Sequence, residues 1–385
     1  MGFNNELIKL NIPLTHGSDW EKRTNTSNNK RKYYFKNTVF EKRVFLEHTA
    51  TACSFENCYF KGGVIFSSPP IPASAFINKI YSCRVRFIDC KVEKKLVITD
   101  CIFEKKVRFH ESEIEKFIPS NAIFKDLADF WSTKFLKTVI FYKTDFNATA
   151  VFSMATFEEN VLFTYSLFAE KTIFSRTHFK KGIDLSQAII SGDLKFFDLE
   201  LSNFKSPYFH KDNKRYQKAI THQGFIPLVN KQETFRLLKH YSNINGDGIA
   251  TSRYKVFEYR SYNALIWSEM RLGHRWVSNL VNIPMMFLNR ITNNYGSNYW
   301  LGVAFTISVA AIFLNLMLKV SGDYTYTLDY TKCEWSDFVT ILNPVHKIKE
   351  LSIPLTKRIY LLDFLSRIAI GYGIYQTVQA FRKFK

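Results

Sequence analysis

The chain carries no recognisable catalytic signature. HExxH, the Walker A loop, GxSxG, the dinucleotide-binding glycine fingerprint and paired carboxylates are all missing, and each encodes the geometry that its chemistry requires. His110, His178, His210, His222 and His240 are scattered, and Glu111, Glu113 and Glu115 alternate with other residues as a solvated face. These absences predict a protein that is not an enzyme, with no catalytic residue, cofactor or metal. Cysteine is also sparse. Cys53, Cys58, Cys83, Cys90, Cys101 and Cys333 form no CxxC pair and no zinc spacing, so buried free thiols are expected. The start, MGFNNELIKL, lacks a basic segment followed by an apolar one. Gly2 is followed at position 6 by glutamate, which argues against myristoylation. The chain is therefore expected to begin in the cytosol.

What is abundant is phenylalanine, 37 residues of 385, in a chain of formal charge +19 and 46% hydrophobic residues. The phenylalanines are periodic. From Phe124 the large residues run Phe130, Phe135, Phe141, Phe146, Phe152, Phe157, Phe163, Phe168, Phe174 and Phe179, then Leu185, Ile190, Phe196 and Leu201. Every step is five or six, an 11-residue repeat that fits neither a helix nor a flat strand. The same rhythm runs upstream through Phe76, Tyr81, Phe87, Val92, Ile98, Phe103, Phe109 and Ile114. SSPPIPASA (67–75) and EKFIPSNAI (115–123) interrupt it. Two residues before each large position stands a smaller one: Thr133, Thr144, Ala155, Ser166, Thr177 and Ala188 in one set, Val139, Ala150, Val161, Thr172, Ile183 and Leu194 in the other. Each repeat thus aims one small and one large residue inward before turning a corner. Stacked turns bury both as columns, which is the logic of a solenoid. Core packing, not base stacking, accounts for the phenylalanines.

This pattern resembles the pentapeptide-repeat proteins, in their Phe-rich variant with alternating steps. The resemblance covers residues 31–205 and implies a right-handed quadrilateral β-helix of roughly eight coils, near 40 Å long at about 4.8 Å per coil. Some such proteins imitate DNA with an acidic surface; this rod is net basic, which argues against that role. Residues 1–30 read as an irregular leader, basic and polar at its end.

After 205 the rhythm stops, and the basic excess is densest over 206–300. Residues 206–298 read as a helical cap and juxtamembrane region. One helix carries Phe235, Leu238 and Tyr241; NINGDG makes a turn; a second carries Tyr254, Phe257, Ala264, Leu265 and Trp267. The hairpin is expected to cap the last coil, with Arg253, Lys255, Arg260, Arg271, Arg275 and Arg290 available to lipid phosphates.

Residues 295–318 contain no charge and open with Tyr295, Tyr299 and Trp300, as a membrane span does. Spans are expected at 299–320 and 359–381. The second holds Asp363 and Arg367, which can pair at i,i+4, and is followed by the basic tail 382–385. Between them, 321–358 forms an external loop with a short amphipathic helix, where Trp335, Phe338 and Leu342 share a face before Pro344. Trp300, Trp335, Asp363, Arg367, Gln376 and Arg382 are the candidates for membrane interface or pore. GYG (371–373) lies inside the second span and is no selectivity filter; its glycines suit close helix packing. The basic flanks place both ends of the hairpin inside. The C-terminal third resembles the tails of bacterial membrane-anchored pentapeptide-repeat proteins, some described as ion-channel-like, which implies a bacterial inner-membrane protein. The expected function is a cytosolic scaffold tethered to the membrane and binding a protein partner; the alternative is an oligomeric two-span channel with the rod as sensor. Nucleic acid is not an expected partner.

Overall fold

The computed structural model describes residues 32–48, 50–66, 79–210, 213–273, 276–321 and 335–382. The leader, the 67–75 loop, residues 322–334 of the loop between the expected spans, Cys333 among them, and the last three residues lie outside them. The chain divides into two compact units, Met1–Tyr241 and Ser242–Lys385.

The first unit is a parallel β-solenoid. Its short strands form four sheets of eight, six, ten and three strands. The regular coil is 22 residues long and visits four sides. Ile123–Phe124, Ala128–Asp129, Lys134–Phe135 and Val139–Ile140 occupy one coil, and Asp145–Phe146 returns beside Ile123–Phe124. The eight-stranded side is visited from Lys32–Lys36 to Leu194–Phe197, about seven full turns. Phe135, Phe141, Phe146, Phe152, Phe157, Phe163, Phe168, Phe174 and Phe179 are all buried. Each stacks on its equivalent one coil away. Phe130, Phe152 and Phe174 lie 5.0 Å apart at 6° and 8°, and Phe124, Phe146 and Phe168 lie 5.2 and 5.3 Å apart at 3° and 10°. Neighbouring columns meet edge to face, as aromatic quadrupoles favour.

The alternation of five and six has a backbone cause. Each five-residue step of the regular coils, from Phe109–Ile114 to Phe174–Phe179, contains a residue in the left-handed region: Glu111, Ser132, Lys143, Met154, Tyr165 and Arg176, φ +48° to +58°. A left-handed residue turns the corner sharply and saves one residue relative to the six-residue corner. The small residue directly after it is often hydroxylated, because its hydroxyl reaches a carbonyl of the coil below. Ser166 Oγ donates to Phe141 O at 2.6 Å and Thr177 Oγ1 to Phe152 O at 2.8 Å. After the six-residue steps the position is mostly aliphatic, and the one hydroxyl there, Thr172 Oγ1, is buried without a hydrogen-bond partner among the described residues. Cys53, Cys58, Cys83, Cys90 and Cys101 are buried free thiols; Cys90 Sγ lies 3.5 Å from Phe55 O in the same role.

Residues 115–123 break the spacing without breaking the coil. Glu113–Ile118 is a continuous strand whose register shifts between Ile114 and Lys116 against Lys91–Val97, and Phe117 enters the core out of rhythm.

The last coil is closed by helix. Helix α1 (Lys214–Lys218, capped by Asn213) runs through a short π turn, 219–223, to Gly224, and α2 (Leu228–Ile244) follows. Phe235 and Leu238 of α2 are fully buried, and Phe235 meets Phe204 at 5.6 Å. Buried Asp184 on the last coils accepts from Asn230 Nδ2 (2.8 Å), Ser186 N (2.9 Å) and Ser186 Oγ (2.6 Å). Burial holds its carboxyl above the usual range, although those hydrogen bonds oppose the shift. Lys231 Nζ donates to Phe204 O, and desolvation pulls the amine down to about 8. Thus α2 fills the role expected of a hairpin, while the second expected helix, α3 (Gly248–Arg271, capped by Asp247), belongs to the other unit.

The second unit is helical: α3, α4 (Trp276–Asn293), α5 (Tyr299–Ser321), α6 (Trp335–Leu342) and α7 (Lys357–Phe381). Helix α4 has no counterpart in the sequence reading. It contains Pro284, and its Met286 packs with Val256 and Tyr295. Among the described residues one helix, α5, is long and apolar enough to cross a membrane by length and composition. The expected second span lies within α7, whose first turns carry Lys357, Arg358, Asp363 and Arg367 and keep it from meeting that standard.

Candidate functional site

Helices α5 and α7 run antiparallel. Tyr299 at the start of α5 stacks on Phe381 at the end of α7 (4.5 Å), and Ala310, Leu314, Met317, Ile359 and Ile370 share one buried cluster. The contact is made close by glycine on both sides. A Cβ on Gly302 would lie 2.4 Å from Thr377 Oγ1 and 3.1 Å from the Thr377 backbone; one on Gly373 would lie 2.4 Å from Thr306 Oγ1. Gly371 meets nothing within 4 Å. Of the two glycines in GYG, then, one packs and one does not.

The paired residues read from sequence sit at the opposite end of this hairpin, joined by a third. Asp363 is buried; its Oδ2 accepts from Arg367 Nε and Nη2, both at 2.8 Å. Its Oδ1 lies 2.8 Å from His346 Nε2, and His346 Nδ1 lies 2.6 Å from the Asn343 carbonyl. A carbonyl can only accept, so Nδ1 is the donor in that contact. Ser366 Oγ donates to the Asp363 carbonyl at 2.8 Å. His346 lies just after α6, 17 residues before its partner; only the packing of Phe338, Ile341 and Leu342 of α6 on the α5–α7 cluster brings it there.

Gln376 is placed elsewhere, in a second buried polar cluster. It bonds to Asn293 through Oε1, its Nε2 donates to Asn289 Oδ1 at 3.4 Å, and Tyr372 OH reaches the same oxygen at 3.3 Å. This ties the end of α4 to α7. Trp300 is 65% exposed beside Tyr299, and Arg382 is the exposed C-cap of α7. Trp335 opens α6; its side chain lies outside the described residues. Asp363 and Arg367 are brought together, while Gln376, Trp300 and Arg382 each occupy a separate place. Of the basic residues expected at lipid phosphates, Arg253 lies over the Tyr254 ring at 5.1 Å, and Arg275 lies outside the described residues.

Comparison with protein-family models, curated proteins and solved structures finds no match to this chain. The likeness to pentapeptide-repeat folds rests on the coil itself: parallel turns with a phenylalanine stacked about every five residues.

Proposed function

We propose that the chain is a membrane-tethered scaffold. The solenoid offers a rigid side to a protein partner, and α5 with α7 forms a two-helix anchor in a bacterial inner membrane with both ends of the hairpin on the cytoplasmic side. The observation that carries this reading is the outer surface of the hairpin. Ile312 is 56% exposed and Phe364 59%, and Ile307, Leu316, Leu361, Ile368 and Val378 are exposed with them. In water so many exposed large apolar side chains on two neighbouring helices mark a contact with lipid or protein. The inward faces of both helices are meanwhile consumed by their own contact. Asp363 and Arg367 satisfy each other, so α7 crosses with a neutralised carboxylate near one interface.

A second reading is favoured by one feature, the His346–Asp363–Arg367 cluster: several such hairpins around a centre would make a pore with this cluster in its wall. Planar-bilayer conductance of the purified chain beside an Asp363→Asn/Arg367→Gln variant separates the two. The scaffold reading expects alkaline-resistant membrane attachment and a silent bilayer. Unitary steps altered by the variant would replace it with the pore reading.

A further inference from the structure

Many lysines of the solenoid pair with glutamates of the neighbouring coil. On the ten-stranded side Lys134 lies between Glu113 (3.6 Å) and Glu158 (3.7 Å), and Lys180 meets Glu158 at 2.8 Å. Elsewhere Lys36 pairs with Glu56, Lys61 with Glu41, Lys125 with Glu104 and Lys181 with Glu159. Alternating signs one coil apart are what stacked strands about 4.8 Å apart favour. A groove of about 1090 Å³ gathers cations without such partners on the side where Lys91–Val97 and Glu113–Ile118 bend past the register shift, its far wall formed by the π turn at 221–223.

Arg43, Lys94, Lys95, Lys116 and Lys137 line this groove and are exposed. None of the five has a carboxylate within ion-pair distance among the described residues. Lys95 and Lys116 are direct register partners, so two lysines stand side by side on adjacent coils. Two carboxylates enter the groove. Glu159 already holds Lys181 at 2.6 Å, and Glu115 is turned onto the Lys94 amide at 2.8 Å. Between the cations runs a strip of half-buried aliphatic side chains, Ile65, Val97, Ile118 and Ile140, the first three in register from coil to coil.

We infer that this groove is the docking site for an acidic segment of a protein partner, one that carries aliphatic side chains beside its carboxylates. The uncompensated lysines supply the anion preference, and a partner's carboxylates would extend here the alternation seen along the Glu113–Lys134–Glu158–Lys180 row. The aliphatic strip gives such a segment apolar contact. Nucleic acid fits less well, because binding without sequence readout relies on rows of exposed aromatic platforms, whereas Phe117 of the wall is buried and His222 is the one exposed ring. This inference rests on the scaffold reading and names the class of its partner.

The test uses the full-length chain in detergent and fluorescence anisotropy of a labelled peptide alternating Glu and Val, with oligothymidylate and phosphatidylserine-containing vesicles as the other anions. Lys95→Glu/Lys116→Glu/Lys137→Glu reverses the groove. Lys61→Glu/Lys125→Glu/Lys180→Glu changes net charge equally at paired positions. Lys95→Gln/Lys116→Gln/Lys137→Gln serves if the reversed groove fails to fold. The expected result is saturable peptide binding, weakened at least about tenfold by the groove variants and less than about twofold by the control. Three results overturn the proposal: no saturable peptide binding, equal loss in both triple variants, or groove-dependent binding confined to oligothymidylate or to vesicles. Conductance judges the scaffold reading separately. A silent bilayer with an inert groove defeats only this inference, and a conducting chain with an active groove defeats only the scaffold reading.

Discussion

Replacing Phe152 by alanine should open the solenoid at its middle. Phe152 is fully buried, stacked at 5.0 Å on Phe130 and on Phe174, and its edges meet Phe141 and Phe163 at 5.9 and 5.8 Å. Phe→Ala in a packed core costs about 3–5 kcal/mol. The upper part of that range applies here, because both stacking partners are fixed by strand register and cannot collapse into the void. Phe196 ends the same column, is half-buried and has a single parallel neighbour, Phe174 at 5.7 Å. Its truncation should cost about 1–2 kcal/mol on burial alone. The difference, about 3 kcal/mol, is roughly a hundredfold or more in a local opening equilibrium. Hydrogen exchange with mass spectrometry on the detergent-solubilised protein reads that equilibrium for peptides covering 123–180. Protection there should fall much further for Phe152→Ala than protection over 172–201 falls for Phe196→Ala. Equal losses, or a Phe152 effect below about 1.5 kcal/mol, would show that the columns are not the main source of cohesion and would refute the argument.

Other positions give sharper contrasts. Met154 holds φ +58° and is exposed; Met154→Asn should stabilise the rod by about 0.5–1 kcal/mol, since Asn tolerates the left-handed region, and urea unfolding would reveal a neutral or negative effect. Gly302→Ala pushes a methyl into the Thr377 backbone and should lower the melting temperature in detergent, at a cost of about 1–3 kcal/mol. Gly371→Ala, with nothing within 4 Å, should be neutral or raise it; the reverse order would contradict the hairpin geometry. The Asp184 carboxyl is held above its unfolded value, so the folded cap prefers the proton. Its contribution is full below the unfolded carboxyl range and fades as pH rises through the raised folded value. Exchange protection of 228–240 should therefore increase as pH falls through that window, after correction for intrinsic exchange, and Asp184→Asn should flatten the trend.

The columns were legible because phenylalanine is large and its spacing survives wherever the coil is regular. The cause of the spacing was not. Left-handed corners usually announce themselves as Gly, Asn or Asp, as Asn57, Asp89 and Asn121 do, but Met154, Tyr165 and Arg176 occupy others, and their side-chain type says nothing about their φ. The hydroxyls at Ser166 and Thr177 were seen as small residues only; their carbonyl acceptors lie 25 positions earlier in sequence. Helix α4 was missed because Pro284 interrupts an otherwise amphipathic run. The Asp363–Arg367 contact follows from helical spacing alone, but His346 reaches Asp363 only through the packing of α6, which no local pattern records. The expected second span was weakened by the same residues that make the site, since Asp363 and Arg367 reduce the apolar character of α7.

The 22-residue coil also sets how this protein can change length. An insertion of one whole coil keeps every column in line and adds about 4.8 Å. An insertion of one 11-residue repeat keeps the phenylalanine ladder intact in sequence, yet it advances the chain by only two of the four sides. Everything downstream would then face the opposite direction, and the lysines at 94–95 would no longer share a side with Lys116 and Lys137. The ladder alone cannot tell these two events apart, but the groove can. Rod length is therefore free to drift only in units that preserve facing, whereas the strands before Phe66 and after Lys79 keep their columns although their spacing in sequence is longer than the regular step.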